Sequence, residues 1–139
     1  MVSDLNKYLN SYTGVKAYVE ENFVTKATIS MARKLCFQKR ILHMGIGNGL
    51  AAKMLDEIVD RQTVIEGSGA ILDKFAFKSK KTEFIEVLFE EFQSGDKYNV
   101  ILANHVMEHV DDPVNVLEHI KSFLEDDGKI FITVPNANS

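Results

Sequence analysis

Residues 40–49 read RILHMGIGNG, and this stretch decides the prediction of the fold. A short apolar run followed by three glycines is typical of a buried strand that enters a tight turn. The next residues, LAAKMLDEIV, carry apolar side chains at helical spacing, at Leu50, Met54, Leu55 and Ile58. A strand, a glycine turn and a helix in this order predict the start of a parallel α/β arrangement.

The rest of the chain repeats this alternation of strand and helix. QTVIEGS predicts a second strand, GAILDKFAFK a second helix, TEFIEVLF a third strand and YNVILAN a fourth. On the N-terminal side, helix-compatible residues dominate from Val15 to about Leu35. The pattern therefore extends over most of the chain.

Asp112 and Pro113 mark the predicted start of a further helix. Asp112 would cap the helix, and Pro113 would occupy its first position. We expect this helix to run to about Glu125, where DDG stops it, and KIFITVPN to form a fifth strand. The apolar face of the helix is predicted at Val114, Leu117, Ile120 and Leu124.

Strands that alternate with helices at this spacing predict an α/β fold. The expected sheet is doubly wound and mainly parallel, with about five strands in the order 3-2-1-4-5 and helices on both faces. A length of 139 residues predicts a single domain, in which residues 1–38 form an arm and helix and residues 39–139 form the core. In such sheets the ligand crevice lies at the carboxyl ends of the strands.

The composition and net charge of the chain limit the classes of partner that it is expected to have. With 45% hydrophobic and 26% charged residues, the chain is an ordinary globular sequence. The net charge of −4 argues against a nucleic-acid partner, and Lys78-Ser79-Lys80-Lys81 is interpreted as a solvated turn. No signal segment and no long apolar run occur, so we expect no membrane partner and a cytoplasmic location. The single cysteine, Cys36, fits a reducing compartment and is predicted to be a buried structural thiol.

The glycine turn and a downstream acid indicate a nucleoside ligand. Gly45, Gly47 and Gly49 would let a ligand lie against bare backbone beside the positive end of a helix. The dinucleotide fingerprint G-x-G-x-x-G would need a third glycine where Leu50 stands. Glu66 ends the next strand, where a carboxylate can accept hydrogen bonds from two ribose hydroxyls.

Four segments of the chain resemble strand motifs of the class I S-adenosylmethionine-dependent methyltransferases. They are ILHMGIGNG, VIEGS, VILANHVMEHVDDPVNVLEHI and GKIFITVPN, and they extend from about Arg40 to the C-terminus. The MEHVDDP run after the fourth strand is similar to a segment common in small-molecule members. The resemblance implies a Rossmann-like fold, S-adenosyl-L-methionine as cofactor and S-adenosyl-L-homocysteine as product.

The resemblance also implies a set of cofactor-binding residues. In chain order they are Gly45, Ile46, Gly47, Gly49, Glu66, Gly67, Ser68, Leu88, Phe89, Asn104 and His105. The glycine turn would lie against the methionine portion and the ribose, and Glu66 would hold the ribose hydroxyls. Gly67 and Ser68 would shape the turn beside the adenine, which Leu88 and Phe89 would line.

Asn104 and His105 would lie on the sulfonium side of the implied pocket. The mechanism is an in-line displacement at the methyl carbon, so most of the acceleration comes from alignment. An oxygen nucleophile also benefits from a base, and His105 is the candidate by its position at a strand end. The expected acceptor is a small molecule, a sugar or a lipid-like molecule. The resemblance to the family slightly favours methylation of an oxygen atom over methylation of a nitrogen atom.

Two departures from the family pattern stand out. The family has an acid two residues before the first glycine, which helps to arrange the ammonium end of the cofactor, and this chain has His43. We interpret His43 as a satisfied, half-buried histidine. The family fold has seven strands, the last two forming a hairpin, and this chain ends at Ser139 just after the fifth. We therefore expect a truncated form, whose unfinished sheet edge could pair with a second copy.

The run HVMEH at residues 105–109 matches the H-x-x-E-H pattern of inverted zinc proteases. Asp112-Pro113 follows too closely for His105 and His109 to share a continuing helix. We interpret the zinc-like lettering as coincidence and expect no metal. Glu108 and His109 are interpreted as local hydrogen-bonding groups that fix the loop after the fourth strand.

Two further alternatives remain open. A nicotinamide-dependent oxidoreductase is the lesser one, because the third fingerprint glycine is missing. The other is a cofactor-binding core without independent catalytic activity. Among the remaining side chains, His119 is predicted to be solvated. Tyr8 and Tyr12 could form a lid over the cofactor or belong to a loosely attached arm.

Overall fold

A computed structural model describes residues 15–136, with side chains described from residue 21 onward. Tyr8 and Tyr12 lie outside these residues. The elements are α1 (Val15–Cys36), β1 (Arg40–Met44), α2 (Leu50–Asp56), β2 (Arg61–Glu66), α3 (Gly69–Phe75), β3 (Thr82–Glu86), β4 (Tyr98–Asn104), α4 (Pro113–Lys121) and β5 (Leu124–Thr133). Two single 3₁₀ turns, Phe89–Glu91 and Met107–His109, follow β3 and β4.

The five strands form one parallel sheet in the order β3-β2-β1-β4-β5. The predicted order and the doubly wound α/β class are confirmed. Since all strands run in one direction, their carboxyl ends meet at a single edge of the sheet. The glycine turn, Glu66 and Asn104 are brought to that edge.

The sheet is covered on both faces because successive residues of its buried strands point in opposite directions. On β1, Leu42 belongs to the apolar cluster that contains Val116 and Ile120 of α4. Ile41, its neighbour, belongs to the cluster that contains residues of α1 and α2. β1 therefore contributes to the core on both sides, as the short apolar run predicts.

Cys36 lies in the second cluster and is fully buried, which confirms the predicted structural thiol. Burial raises the pKa of the Cys36 thiol to about 11. The thiol is therefore protonated at neutral pH and is a poor nucleophile.

The start of α4 agrees with the prediction, but its end does not. Asp112 accepts a hydrogen bond from the Asn115 backbone N–H at 3.0 Å, and Pro113 is the first helical residue. The helix ends at Lys121 rather than near Glu125. The cause is the hydrogen bond from Tyr98 N–H to the Phe123 carbonyl at 2.8 Å, which draws the chain into the sheet.

The predicted apolar face of α4 and the start of β5 are also corrected. Val116 and Ile120 are buried, whereas Val114 is 70% exposed. The residues DDG, predicted to stop the helix, belong to β5, where they lie in an irregularity between the pairs Tyr98–Leu124 and Val100–Lys129. Within residues 15–136, no helix is both long and apolar enough to cross a bilayer.

Candidate functional site

The turn between β1 and α2 depends on glycine for its backbone shape. Gly45, Gly47 and Gly49 have φ angles of +79°, +56° and +82°, which side-chain-bearing residues rarely adopt. A Cβ on Gly45 would lie 2.9 Å from Val106 Cγ2, and one on Gly49 would lie 3.1 Å from the Phe75 carbonyl oxygen. A Cβ on Gly47 would meet no atom within 4 Å, so the backbone there faces open space.

Backbone and side-chain hydrogen bonds hold this turn in place. Gly45 N–H donates to the Ile65 carbonyl of β2 at 2.8 Å, and Gly49 N–H donates to the Ile46 carbonyl at 2.9 Å. The Asn48 carboxamide accepts from Leu50 N–H at 3.1 Å and donates to Asn22 of α1 at 2.8 Å. We did not single out Asn48 from the sequence, although an asparagine just before a helix is a known turn-forming residue.

Glu66 joins the end of β2 to the glycine turn. Its Oε2 accepts a hydrogen bond from Ile46 N–H at 3.2 Å, and its Oε1 accepts from Ser68 N–H at 3.1 Å. A carboxylate has about four acceptor positions. Two of them are used here, so Glu66 keeps capacity to accept hydroxyl donors from a ligand.

The segments after β2 and β3 place an apolar side chain beside Gly67. A Cβ on Gly67 would lie 3.0 Å from Leu88 Cδ2, and Leu88 is 41% exposed. Ser68 caps α3 by accepting from Ile71 N–H at 3.3 Å. Phe89 lies beyond β3, which ends at Glu86, and packs against the apolar cluster beneath α4. The structure brings Leu88, rather than Phe89, to the open side of this edge.

Asn104 and His105 close the site where β4 ends. Asn104 Oδ1 accepts from the Thr133 hydroxyl at 2.5 Å, and His105 N–H donates to the Thr133 carbonyl at 3.0 Å. His105 has a φ of +52°, a strained angle for a residue with a side chain. Its side chain is 33% exposed.

The run HVMEH does not form the α-helix that a zinc protease site requires. Met107–His109 is a single 3₁₀ turn. Glu108 Oε1 lies 3.7 Å from His105 Nδ1 and 3.7 Å from His109 Nε2, so the carboxylate sits between the two imidazoles. Among the side chains that the structure describes, residues 21–136, no three His, Cys, Asp or Glu are arranged to hold a metal ion.

His43, on β1, is fully buried rather than half-buried, with 1% of its surface exposed. Its Nδ1 lies 2.9 Å from Gln62 Oε1, while the Gln62 amide nitrogen donates to the Ala52 carbonyl at 3.1 Å and to Thr82 Oγ1 at 2.9 Å. Since Gln62 Oε1 is an acceptor, His43 Nδ1 carries the donated proton. Burial lowers the pKa of His43 to about 4, and the hydrogen bond with Gln62 opposes this effect in part.

The expectation that His119 is solvated is wrong. Its Nε2 lies 2.7 Å from the Phe92 carbonyl oxygen, and its ring contacts Phe123 edge-on at a centroid distance of 5.4 Å. His119 therefore fastens α4 to the segment after β3. His119 therefore has a structural role away from the glycine turn.

The edge of the sheet fits a ligand that carries a nucleoside. The bare backbone at Gly47 can approach such a ligand closely, and Glu66 can accept hydrogen bonds from its sugar. Leu88 offers an exposed apolar surface for a base. His43 is too deeply buried to touch a ligand at this edge.

Comparison with known proteins agrees with this geometry. The sequence profile of a methyltransferase domain family matches residues 18–139. The ubiquinone biosynthesis O-methyltransferase of Actinobacillus pleuropneumoniae serotype 7 (strain AP76) is 27% identical over 110 residues, covering 72% of this chain and 47% of that protein. The same-named protein of Aeromonas salmonicida (strain A449) is 29% identical over 108 residues, covering 73% and 45%. This chain thus spans about half the length of these relatives.

Solved structures share the fold. The N-methyltransferase NodS from Bradyrhizobium japonicum WM9, in complex with S-adenosyl-L-homocysteine, superposes with a TM-score of 0.72 at 12% identity, covering 81% of this chain and 60% of that one. The plantazolicin methyltransferase BpumL, in complex with the same product, gives a TM-score of 0.70 at 24% identity, covering 86% and 49%. With the profile match over most of its length, the chain belongs to the methyltransferase domain family, and the resemblance to class I S-adenosylmethionine-dependent methyltransferases is confirmed.

Proposed function

We propose that this protein transfers a methyl group from S-adenosyl-L-methionine to a small-molecule, sugar or lipid-like acceptor, with oxygen as the favoured nucleophile. The observation that carries the proposal is the glycine turn, whose Ile46 N–H is fastened to the Glu66 carboxylate at 3.2 Å. The preference for oxygen draws support from the relatives named ubiquinone biosynthesis O-methyltransferase.

The proposed cofactor contacts follow the geometry of the sheet edge. The backbone of Gly45–Gly49 lies against the methionine portion and ribose, and Glu66 accepts hydrogen bonds from the ribose hydroxyls. Gly67 and Ser68 shape the turn beside the adenine, and Leu88 covers the ring. Phe89 packs against the apolar core beneath this segment and so supports its position.

Asn104 and His105 are proposed to face the reacting end of the cofactor. When bound, S-adenosyl-L-methionine supplies an electrophilic methyl group on a sulfonium. A neutral imidazole at His105 can accept the proton of an acceptor hydroxyl, and Glu108 at 3.7 Å can orient that ring. The hydrogen bonds that Thr133 makes with Asn104 and with His105 N–H fix the backbone that carries both groups.

A cofactor-binding core without independent catalysis is the second candidate. The chain spans about half the length of its curated relatives, so the match alone does not carry their activity over to it. Binding of the cofactor and transfer of the methyl group are therefore separate questions for this chain.

Calorimetric titration with S-adenosyl-L-homocysteine tests the proposal, with NAD and zinc as competing ligands. We expect binding that Glu66→Ala weakens by roughly tenfold or more, because about two charge-assisted hydrogen bonds to the ribose are lost. Glu118→Ala, which removes an exposed carboxylate from α4, is the matched control and keeps the affinity.

The outcomes separate the candidates. Product binding that is sensitive to Glu66, followed by methyl transfer to a small-molecule hydroxyl acceptor, supports the enzyme. Product binding without transfer to any hydroxyl or amine acceptor supports the binding core. A folded protein that binds NAD or zinc and not S-adenosyl-L-homocysteine contradicts both.

A further inference from the structure

A second pocket lies at the opposite edge of the sheet from the glycine turn. Its volume is about 380 Å³, and it is lined at the amino ends of the strands. Arg40 begins β1, Arg61 begins β2, Thr82 begins β3 and Tyr98 begins β4. Parallel strands bring these residues together for the same reason that they bring the glycine turn and Glu66 together at the other edge.

Cations dominate the lining of this basic pocket. Arg40, Arg61, Lys80 and Lys81 line it, against two acids, Glu83 and Asp96. The excess of positive charge departs from the chain as a whole, whose net charge is −4.

Most of this positive charge is uncompensated. Arg40 pairs with Asp96 at 3.2 Å, and their side chains are 40% and 69% exposed, so this ion pair is weak. Among the described side chains, those of residues 21–136, Arg61, Lys80 and Lys81 make no ion pair.

The backbone that carries the two lysines is held firmly. Ser79 Oγ accepts from Lys81 N–H at 2.9 Å and from Thr82 N–H at 3.1 Å, and it donates to Asp56 at 2.5 Å. The Lys81 carbonyl accepts from Gln62 N–H of β2 at 2.9 Å. The segment interpreted from the sequence as a solvated turn is therefore an anchored wall of the pocket.

Polar groups continue the lining toward the sheet. Gln62 is 2% exposed and Tyr98 is 5% exposed. The Tyr98 hydroxyl donates to Thr63 Oγ1 at 3.1 Å, which leaves the Thr63 hydroxyl able to donate to a ligand. A cationic rim above a hydroxyl-bearing wall suits a ligand rich in oxygen acceptors and does not suit an apolar one.

We propose that this basic pocket binds a small molecule carrying a diphosphate group. Guanidinium groups pair with phosphate oxygens in a bidentate manner, and Arg61, Lys80 and Lys81, the three lining cations outside the Arg40–Asp96 pair, match the charge of a diphosphate better than that of a monoanion. The volume of about 380 Å³ falls within the range of about 300–1,000 Å³ that is usual for small-ligand sites. A long polyanion is disfavoured because the rest of the chain is acidic.

The test is calorimetric titration with inorganic pyrophosphate and with ADP, both in the presence of saturating S-adenosyl-L-homocysteine. The double variant Arg61→Gln/Lys81→Gln removes two cations from the pocket. Lys26→Gln/Lys34→Gln removes two exposed cations from α1 and has the same net charge. All four residues are exposed, and thermal unfolding checks that both variants are folded.

We expect both probes to bind, with an affinity that falls by about tenfold or more in the pocket variant and stays within about twofold in the α1 variant. Binding also weakens with added salt. A tighter ADP complex indicates that the diphosphate belongs to a larger molecule, and equal affinities indicate the free anion.

Three results would overturn the proposal: no binding by the wild-type protein, equal losses in the two variants, or binding that appears only when S-adenosyl-L-homocysteine is omitted. The last result would place the anion at the glycine turn. The proposal concerns a separate surface, and it stands or falls independently of the methyltransferase activity.

Discussion

At the scale of single residues, His43 is a titratable group buried inside the sheet. The family places an acid here, and this chain places an imidazole that is 1% exposed and bonded to Gln62. The hydrogen-bond network extends from Gln62 to Thr82 and then to Asp56. The Gln62 amide donates to Thr82 Oγ1, and the Asp56 carboxylate accepts from the Thr82 hydroxyl at 2.6 Å. This buried network is satisfied only when His43 is neutral, since burial disfavours the charged ring.

We therefore predict that His43 destabilises the fold in acid. Its pKa falls from 6.5 to about 4 on folding, so the unfolded state takes up the proton first. The free energy of unfolding should decrease as pH falls below the unfolded pKa and stop decreasing near the folded one. The expected loss is about 3 kcal/mol.

Urea unfolding of the wild type and of His43→Asn between pH 7 and pH 4 measures this effect. Asparagine keeps a donor toward Gln62 but does not titrate, so its unfolding free energy should vary less with pH. Equal pH dependence in the two proteins would assign the acid sensitivity to other groups.

At the scale of elements, the glycine turn determines how the chain enters α2 and leaves an open backbone surface beside that helix. Gly49 combines a φ of +82° with a Phe75 carbonyl oxygen 3.1 Å from where a Cβ would lie. Gly95, in the turn before β4, has open space at the same position. Comparing substitutions at these two glycines therefore tests whether the turn between β1 and α2 requires a residue without a side chain.

We predict that Gly49→Ala lowers the free energy of unfolding by about 1–3 kcal/mol, because an L-residue at positive φ is strained and its Cβ crowds the Phe75 backbone. Gly95→Ala should change stability by less than about 1 kcal/mol. Chemical denaturation compares the two. Similar effects at both positions would show that the turn tolerates a side chain.

The elements also show how far the sequence alone could lead. The alternation of apolar strands with helices was sufficient to predict the strand order, which the structure confirms. The glycines and Glu66 predicted the edge of the sheet at which the candidate site is proposed. The end of α4 was missed because the hydrogen bond between Tyr98 and Phe123 is a long-range contact. The burial of His43 and the anchoring of Lys81 were missed for the same reason, since both depend on Gln62 of the neighbouring strand.

At the scale of the whole molecule, the sheet of the described residues ends in β3 on one side and β5 on the other. β5 is 10 residues long, and Ile132 near its end is 40% exposed. Residues 129–133, which pair regularly with β4, leave an open edge with an exposed apolar side chain, and such an edge is a template for pairing with another chain.

We predict that the chain forms a homodimer through the β5 edge. Ile132→Lys should shift the protein toward the monomer, because a charge on an edge strand opposes pairing. Val114→Lys places the same charge at a side chain of α4 that is 70% exposed and serves as the control. Light scattering over a range of concentrations measures the mass. A wild-type protein that stays monomeric at high concentration would contradict the prediction.

The parallel direction of the strands has a consequence for how this molecule can change over time. β2 has 6 residues, from Arg61 at the basic pocket to Glu66 at the glycine turn, which corresponds to about 17 Å at roughly 3.3 Å per residue. That separation is about twice the Debye length of roughly 8 Å at physiological ionic strength. Charges at one edge are therefore largely screened from the other, so substitutions that retune one binding surface can accumulate while the opposite surface keeps its chemistry.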